Sequence, residues 1–433
     1  MSATIARRPE DTAVALMRAV QPDHFVLALV GFFGGAAHAL PPQLYIAEAI
    51  GPFDVLVLLL LLHWLVLSPR RISPQARRQY LLFYCFAAVA YIGEIGGAIV
   101  FGTGTLSSLL APFRFLYYPT LFITLVPFLG SPLRLRILFS GYVLGVLAIS
   151  AIAWIHSPDP GFFFGLPVLD NPNVIGNFIG YAMICLGFAF MPRGLAVKGS
   201  ALLALFVFAM FTFSKASWLL ALGGMYLNAM RFNRWLLLLV IVVAAAIAVS
   251  VLDLKLIFDM VSNAIDLKLS ASVGDDTTGG TLDMRIGFFQ TSMYSLFDHP
   301  FGVGLKNFWL LNRSYEDVLG SRFFESESPH MALGYAAVQA GWIGIALLCV
   351  ITYRVMTALF SLYSAPSLGT RAALFGMILI SILFQIEILT QPFIYLVLAS
   401  AMAQAEATQH AGSISGPAPV GAGLVPAAHE VHN

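Results

Sequence analysis

The chain has 433 residues, of which 59% are hydrophobic and 10% are charged, and its formal net charge is +1. Soluble proteins carry about a quarter charged residues, so this composition excludes an ordinary soluble protein. The small net charge gives no reason to expect binding to nucleic acid. Apolar runs of about 20 residues recur, each long enough to cross ~30 Å of hydrocarbon as a helix. We therefore predict an all-α polytopic membrane protein.

The apolar runs predict about twelve transmembrane helices. They cover roughly residues 24–40, 52–67, 80–99, 110–130, 135–155, 173–190, 199–214, 216–230, 235–252, 330–350, 371–388 and 392–405. The resulting divisions are a cytoplasmic N-terminal segment (1–23), helices 1 to 9 (24–252), a large loop (253–329), helices 10 to 12 (330–405) and a disordered cytoplasmic tail (406–433).

Lysine and arginine concentrate in alternate short loops, which predicts that these loops and both termini are cytoplasmic. The residues concerned are Arg7, Arg8, Arg18, Arg70, Arg71, Arg77, Arg78, Arg134, Arg136, Arg193, Lys198, Arg231, Arg234, Arg354 and Arg371. The same rule decides between two topologies for residues 199–230. One long span would move the basic residues of every later loop outside, so we expect a tight hairpin with Lys215 at its outer tip.

The longest connection, 253–329, lies on the outer face and is too long to be a plain loop. Apolar residues at helical spacing predict helices over 253–269 and 282–297 that rest on the membrane surface. The GDDTTGG stretch at 274–280 predicts a flexible break between them.

Three basic residues near the outer face are candidates for binding an anion. Lys215 simply snorkels to the headgroups or, if it is recessed in the bilayer, needs an anionic partner such as a phosphate. Arg285 sits on the second predicted interfacial helix, either as a plain surface residue or as part of the same site. Arg114 forms a structural ion pair with Glu94, which we favour, or faces that site as well.

The stretch ESPHMALGYAAVQAGWIGIALL, residues 327–348, places His330 at the mouth of an apolar run. Ser328 and Pro329 are typical first residues of a helix, which predicts that His330 lies in the first turn. The positive end of the helix dipole disfavours imidazolium and keeps the ring neutral, as a general base requires. A stripe of small residues predicts close packing of a neighbouring helix. Its members are Gly334, Ala337, Gly341 and Gly344.

Other site patterns are weak. In DNPNVIGN, at 170–177, Asn173 caps the sixth span or lines a site with its amide. Glu325 and Glu327 are the nearest approach to a metal-binding pair, and we predict no metal and no cofactor. No nucleotide-binding fingerprint and no Ser/His/Asp arrangement is present. A transporter or flippase is disfavoured, because no inverted repeat is visible and the unusual polar residues gather at the outer face.

Together these segments resemble the O-antigen ligase and polymerase superfamily of bacterial envelope enzymes. The resemblance rests on DNPN (170–173), FSKAS (213–217), the PFGVGLKNF turn (300–308) and PHMALGYAAVQAGWIGIAL (329–347). The last segment is close to the family pattern of His-x-x-Leu, six residues and Gly-x-x-Gly. Two positions depart from the family. Lys215 stands where many relatives have Arg, and Met331 stands where relatives often have Asn.

The resemblance implies a C-type glycosyltransferase fold, with about twelve helices and a large, partly helical periplasmic loop between helices 9 and 10. It implies a multi-pass protein of the bacterial inner membrane with its active site facing the periplasm. The implied roles are catalysis by His330 and diphosphate binding by Lys215 and Arg285. We add Arg114 as a further candidate for diphosphate binding, and Asn173, Glu327 and Asn307 as candidates for lining the substrate site.

The resemblance further implies a metal-independent, inverting transfer of polyprenyl-diphosphate-linked oligosaccharide. We favour polymerisation of O-antigen or exopolysaccharide repeat units. The close alternative is an O-antigen ligase that passes the glycan to lipid A–core, and transfer to protein is a third. The expected partners are the lipid-linked donor, membrane lipid, a lipid-linked or lipid A–core acceptor and a chain-length regulator.

Overall fold

The computed structural model describes residues 22–36, 52–67, 73–103, 113–155, 172–190, 195–212, 214–231, 281–315, 329, 331–363, 366–384 and 391–414. All regular structure within these ranges is helical. The predicted ninth span, the predicted helix over 253–269, the GDDTTGG break, Glu327, His330 and the residues after 414 lie outside them.

Thirteen helices lie within the described ranges. They are α1 (Pro22–Ala36), α2 (Pro52–Leu67), α3 (Pro74–Phe101), α4 (Phe113–Leu125), α5 (Pro132–Ile155), α6 (Pro172–Leu186), α7 (Leu195–Phe211), α8 (Lys215–Arg231), α9 (Thr281–Asp298), α10 (Phe308–Ser314), α11 (Ala332–Leu362), α12 (Leu368–Phe384) and α13 (Pro392–Ile414). Short 3₁₀ turns follow α4 and precede α10.

Three of these helices, α3, α5 and α11, are long and apolar enough to cross a membrane. Six shorter apolar stretches, in α1, α2, α4, α6, α7 and α12, accompany them among the described residues. The all-α membrane class is therefore confirmed, whereas the count of twelve stays a prediction. The last helix, α13, continues to Ile414, beyond the predicted boundary at 405.

The predicted hairpin between 199 and 230 is present as two separate helices. α7 ends at Phe211 and α8 begins at Lys215. The Trp218 ring nitrogen donates to the Met210 carbonyl at 3.1 Å, which ties the two sides of the turn together. Lys215 is thus the first residue of α8 and not a residue in the middle of one long span.

Glycine contacts fix the relative directions of neighbouring helices. On α5, Gly141 meets the backbone of Ala28 and Gly145 that of Phe32, so α1 and α5 run parallel with their backbones in close contact. On α6, Gly176 meets Ser217, and further along the Asn228 side chain of α8 donates to the Met183 carbonyl at 3.0 Å. Helices α6 and α8 are therefore also parallel.

Tyr363, the residue directly after α11, contacts the end of α6. The Tyr363 hydroxyl donates to the Ile184 carbonyl at 3.0 Å, and its ring contacts Phe188 at a centroid distance of 4.7 Å. The final residues of α6 and α11 therefore meet, so both helices run in the same direction. Helices α6, α8 and α11 consequently begin at one end of the bundle, which we call the site end.

Basic residues gather at the opposite end, which we call the basic end. Arg77 and Arg78 begin α3 and Arg371 lies at the start of α12. Arg134, at the start of α5, forms an ion pair with Asp23 at 3.2 Å. This separation is the pattern expected when the basic end faces the cytoplasm.

One local prediction about α11 is wrong. Pro329 is not helical, and α11 begins at Ala332. The Met331 N–H donates to the Pro329 carbonyl at 2.8 Å, and Met331 has extended backbone angles of φ −143° and ψ 138°. The helix therefore begins at Ala332 and not at Pro329, whereas the predicted position of His330 lies outside the described residues.

Candidate functional site

Helix α11 is broken below its first two turns, where Ala340 and Gly341 have non-helical backbone angles. In a continuous helix the Trp342 N–H would donate to the Val338 carbonyl. Here Trp342 donates to the Pro300 carbonyl at 3.0 Å, and Val338 accepts from Val303 at 2.8 Å and from Gly304 at 3.1 Å. Residues 300–305, which we call the inserted turn, thus provide the partners for two backbone groups of α11 that would otherwise bond each other.

Glycines allow the inserted turn to lie this close. Gly302, Gly304 and Gly341 have φ values of 80°, 77° and 60°, which side chains rarely allow. A Cβ at Gly341 would overlap the Pro300 carbonyl, and one at Gly97 on α3 would overlap the Val303 carbonyl. The predicted role of Gly341 in helix–helix packing is therefore wrong, because it accommodates the inserted turn.

Two buried polar side chains face the inserted turn. Gln339 accepts a hydrogen bond from the Leu305 N–H at 3.1 Å and donates to the Ala90 carbonyl of α3 at 3.4 Å. Glu94 is 0% exposed, and a Cβ at Gly304 would overlap its carboxylate. Within the described part of the chain, neither oxygen of Glu94 accepts a hydrogen bond of standard geometry.

Glu94 therefore has surroundings that the sequence did not indicate. Its carboxyl group lies against Gly304 of the inserted turn, one residue before the Leu305 N–H that donates to Gln339. The favoured ion pair with Arg114 stays a prediction, since the side chain of Arg114 lies outside the described residues.

Asn307 ends the 3₁₀ turn after the inserted turn and is 0% exposed. Its amide nitrogen donates to the Val303 carbonyl at 2.7 Å, and its oxygen accepts from the Thr103 hydroxyl. These bonds tie the inserted turn to the end of α3. The structural role is clear, and lining of a substrate site by Asn307 stays a prediction.

Helix α9 confirms the predicted helix over 282–297 and carries Arg285. Gly334 of α11 faces Ser292 of α9, and Trp342 contacts Phe297 at a centroid distance of 6.1 Å. One contact lies before the break of α11 and the other after it, so α9 packs against both parts of α11. Arg285 lies two helical turns before Ser292 on α9. Its side chain and all of His330 lie outside the described residues.

Helix α9 is fastened to α10 by a second small core. Phe288 and Phe308 pack edge to face at a centroid distance of 5.6 Å, together with Val303, Leu311 and Val338. The Tyr315 hydroxyl donates to the Asp298 carboxylate. Burial, reinforced by Asp298, raises the pKa of Tyr315 well above its usual value. This core connects the inserted turn rigidly to the helix that carries Arg285.

Two further predicted site residues come together at parallel helix starts. Asn173 is the second residue of α6, Lys215 is the first of α8, and the two helices touch where Gly176 meets Ser217. Each helix start carries a partial positive charge of roughly half a unit, which attracts anions. The side chains of Asn173 and Lys215 lie outside the described residues, so this statement concerns their backbones.

Sequence reasoning missed Gln339 and the break of α11. The signal was present, since a glutamine inside an apolar run needs a buried partner. Two glycine-rich segments, FGVG and QAGWIG, also indicated a close backbone approach. Within the described ranges, no three His, Cys, Asp or Glu side chains cluster as a metal site requires.

Comparison with known families adds one match. Residues 200–349 match the family model described as O-antigen ligase. The matched range runs from α7 into α11 and includes Lys215, Arg285, Glu327 and His330. It confirms the resemblance on which the predicted roles of these residues rest. A search of curated proteins finds no match.

Proposed function

We propose that this protein, a member of the O-antigen ligase and polymerase superfamily through residues 200–349, is an inner-membrane glycosyltransferase that polymerises lipid-diphosphate-linked repeat units. The observation that carries the proposal is the pair of parallel helix starts where Gly176 meets Ser217. They aim two positive dipole ends, with Lys215 on one of them, at the site end of the bundle.

The chemistry fits this arrangement. Breaking the bond between sugar and diphosphate leaves negative charge on the departing diphosphate. Cationic groups at the edge of a low-dielectric membrane stabilise such charge strongly. Lys215, Arg285 and Arg114 supply these cations in the proposed site. Lys215 keeps the charge of the arginine found in relatives but lacks its two-pronged geometry.

The acceptor sugar hydroxyl attacks the anomeric carbon while the bond to the diphosphate breaks. His330 takes the hydroxyl proton as general base, and the diphosphate leaves with the bonding electron pair. Attack from the side opposite the leaving group inverts the anomeric centre. The proposed step requires no metal, since the cations of the site carry the charge compensation.

The proposed active site faces the periplasm. The basic end of the bundle holds Arg77, Arg78, Arg134 and Arg371, and the charge rule assigns that end to the cytoplasm. The site end is then periplasmic, where the lipid-linked donor is available. A transporter is the weaker candidate, because its binding groups would gather near the middle of the membrane.

A deletion strain distinguishes polymerase from ligase. Loss of long glycan with single repeats still attached to the acceptor supports a polymerase. Loss of all attached glycan, with lipid-linked polymer accumulating, supports a ligase. If neither changes, the protein is not a transferase of this pathway.

Point variants test the assigned chemistry in the complemented strain. His330→Ala should abolish glycan assembly at normal expression, and continued assembly would contradict its role as the base. Lys215→Ala should weaken donor use, whereas Lys215→Arg should retain it because the charge is kept. Arg354→Ala is the matched control, since this exposed arginine lies near the basic end of α11.

A further inference from the structure

We propose that Gln339 is a positioning residue for the transfer. It fixes the position of α9, which carries Arg285, relative to the first residues of α11, which follow His330 in the chain. The inference rests on the proposed function. Gln339 does not touch the substrate in this proposal. It acts by fixing the inserted turn to α3 and to the break in α11.

The break makes the first part of α11 dependent on the inserted turn. The Trp342 N–H and the Val338 carbonyl, which would bond each other in an intact helix, bond Pro300, Val303 and Gly304 instead. The direction of residues 332–339 relative to the rest of α11 is consequently set by where the inserted turn lies. Any displacement of that turn moves the chain that follows His330.

Gln339 connects the three parts that meet at the break. It belongs to α11, its amide oxygen accepts from Leu305 in the inserted turn, and its amide nitrogen donates to Ala90 of α3. It is 1% exposed, so water does not replace a lost bond. An unsatisfied Leu305 N–H would favour movement of the turn away from α11.

Because Glu94 is acidic and buried nearby, position 339 requires a neutral amide. Its buried carboxyl group lies against Gly304, next to the Leu305 N–H that donates to Gln339. A second carboxylate at position 339 would face Glu94 in a low-dielectric setting, where like charges repel strongly. Exchanging the two groups, with the amide at 94 and the carboxylate at 339, restores one amide and one carboxylate.

A displacement of the inserted turn changes the rate of transfer because it also moves α9. The small core around Phe288 and Phe308 connects α9 to the inserted turn, and Arg285 lies on α9. A shift of the turn by ~1 Å therefore changes the distance between the diphosphate cation and the base, and misplacement of this size costs up to about 100-fold in rate. Donor affinity depends less on that distance, because Lys215 lies on a different helix.

The test uses purified full-length protein with lipid-linked oligosaccharide as donor. The variants are Gln339→Met, which keeps the volume but removes both hydrogen bonds, Gln339→Glu, and the double variant Glu94→Gln/Gln339→Glu. Gln79→Met is the matched control, since Gln79 is a buried glutamine of α3 near the basic end. Turnover at saturating donor, the donor KM and the thermal midpoint are measured for each.

We expect Gln339→Met to lower kcat by about 10- to 100-fold with a much smaller change in the donor KM. Gln79→Met, which removes a buried amide away from the inserted turn, should keep its kcat. Gln339→Glu should be inactive or nearly so, and adding Glu94→Gln should restore turnover by about tenfold. The restored turnover would be difficult to explain by a general loss of stability.

Two results would overturn the inference. One is a normal kcat for Gln339→Met, and the other is a double variant no more active than Gln339→Glu alone. Either would leave the proposed function intact if the wild-type protein transfers glycan. A wild-type protein with no transfer activity would refute the proposed function and this inference with it.

Discussion

Gly97 and Gly96 are adjacent residues of α3 that should respond in opposite ways to the same substitution. A Cβ at Gly97 would overlap the Val303 carbonyl oxygen and lie 2.6 Å from the Asn307 amide nitrogen, whereas a Cβ at Gly96 would have no atom within 4 Å. Alanine at position 97 therefore pushes the inserted turn away from α3. Alanine at position 96 enters open space.

The expected loss in the free energy of unfolding of Gly97→Ala depends on the backbone of the inserted turn, which must move. The obstructing atom belongs to the backbone, so no side-chain rotation relieves it, and overpacking of this kind costs about 1–3 kcal/mol. The hydrogen bond that the Thr103 hydroxyl, just after α3, donates to Asn307 is lost as the turn moves, and an unsatisfied buried group adds about 1–3 kcal/mol. The total is about 2–6 kcal/mol, whereas Gly96→Ala gains up to about 1 kcal/mol of helix propensity.

The assay is thermal unfolding in detergent, paired with the glycan gel of the complemented strain. Gly97→Ala should lower the unfolding midpoint and reduce long glycan, and limited proteolysis should cleave near residues 299–307. Gly96→Ala should match the wild type in all three measurements. Equal behaviour of the two variants would refute the contact between α3 and the inserted turn.

Three further predictions concern the same end of the protein. Gly341→Ala should cost about 1–3 kcal/mol from backbone strain alone, since φ is 60° and ψ −147°; Gly376→Ala, in open space on α12, is its control, and equal unfolding midpoints would contradict the break. Because the pKa of Tyr315 is raised, its neutral form stabilises the fold fully below about pH 10, and this contribution is lost as the pH rises through the folded pKa. The unfolding midpoint of wild type should therefore fall above that pH more than that of Tyr315→Phe, and parallel curves would refute the raised pKa of Tyr315. Ser217→Leu should separate α6 from α8 where Gly176 meets Ser217, and should raise the donor KM at normal expression; an unchanged KM would argue against a donor site at these helix starts.

The sequence by itself determined the class of the protein and most helix bounds. Apolar length and the placement of arginines are local properties, and a membrane leaves few ways to satisfy the backbone except a helix. The hairpin at Lys215 followed from the same charges, and α9 followed from its apolar spacing. The family resemblance, confirmed over residues 200–349, likewise rested on short segments and their order.

Local signals failed where distant backbone groups compete for the same hydrogen bonds. Ser328 and Pro329 indicated a helix start, but the Met331 N–H bonds the Pro329 carbonyl and α11 begins later. Gly341 fitted a packing stripe, yet its neighbour Trp342 bonds Pro300, which lies 42 residues earlier in the chain. Only the tertiary structure decided that Gln339 and Glu94 meet around the inserted turn, because their burial depends on three segments that no local pattern connects.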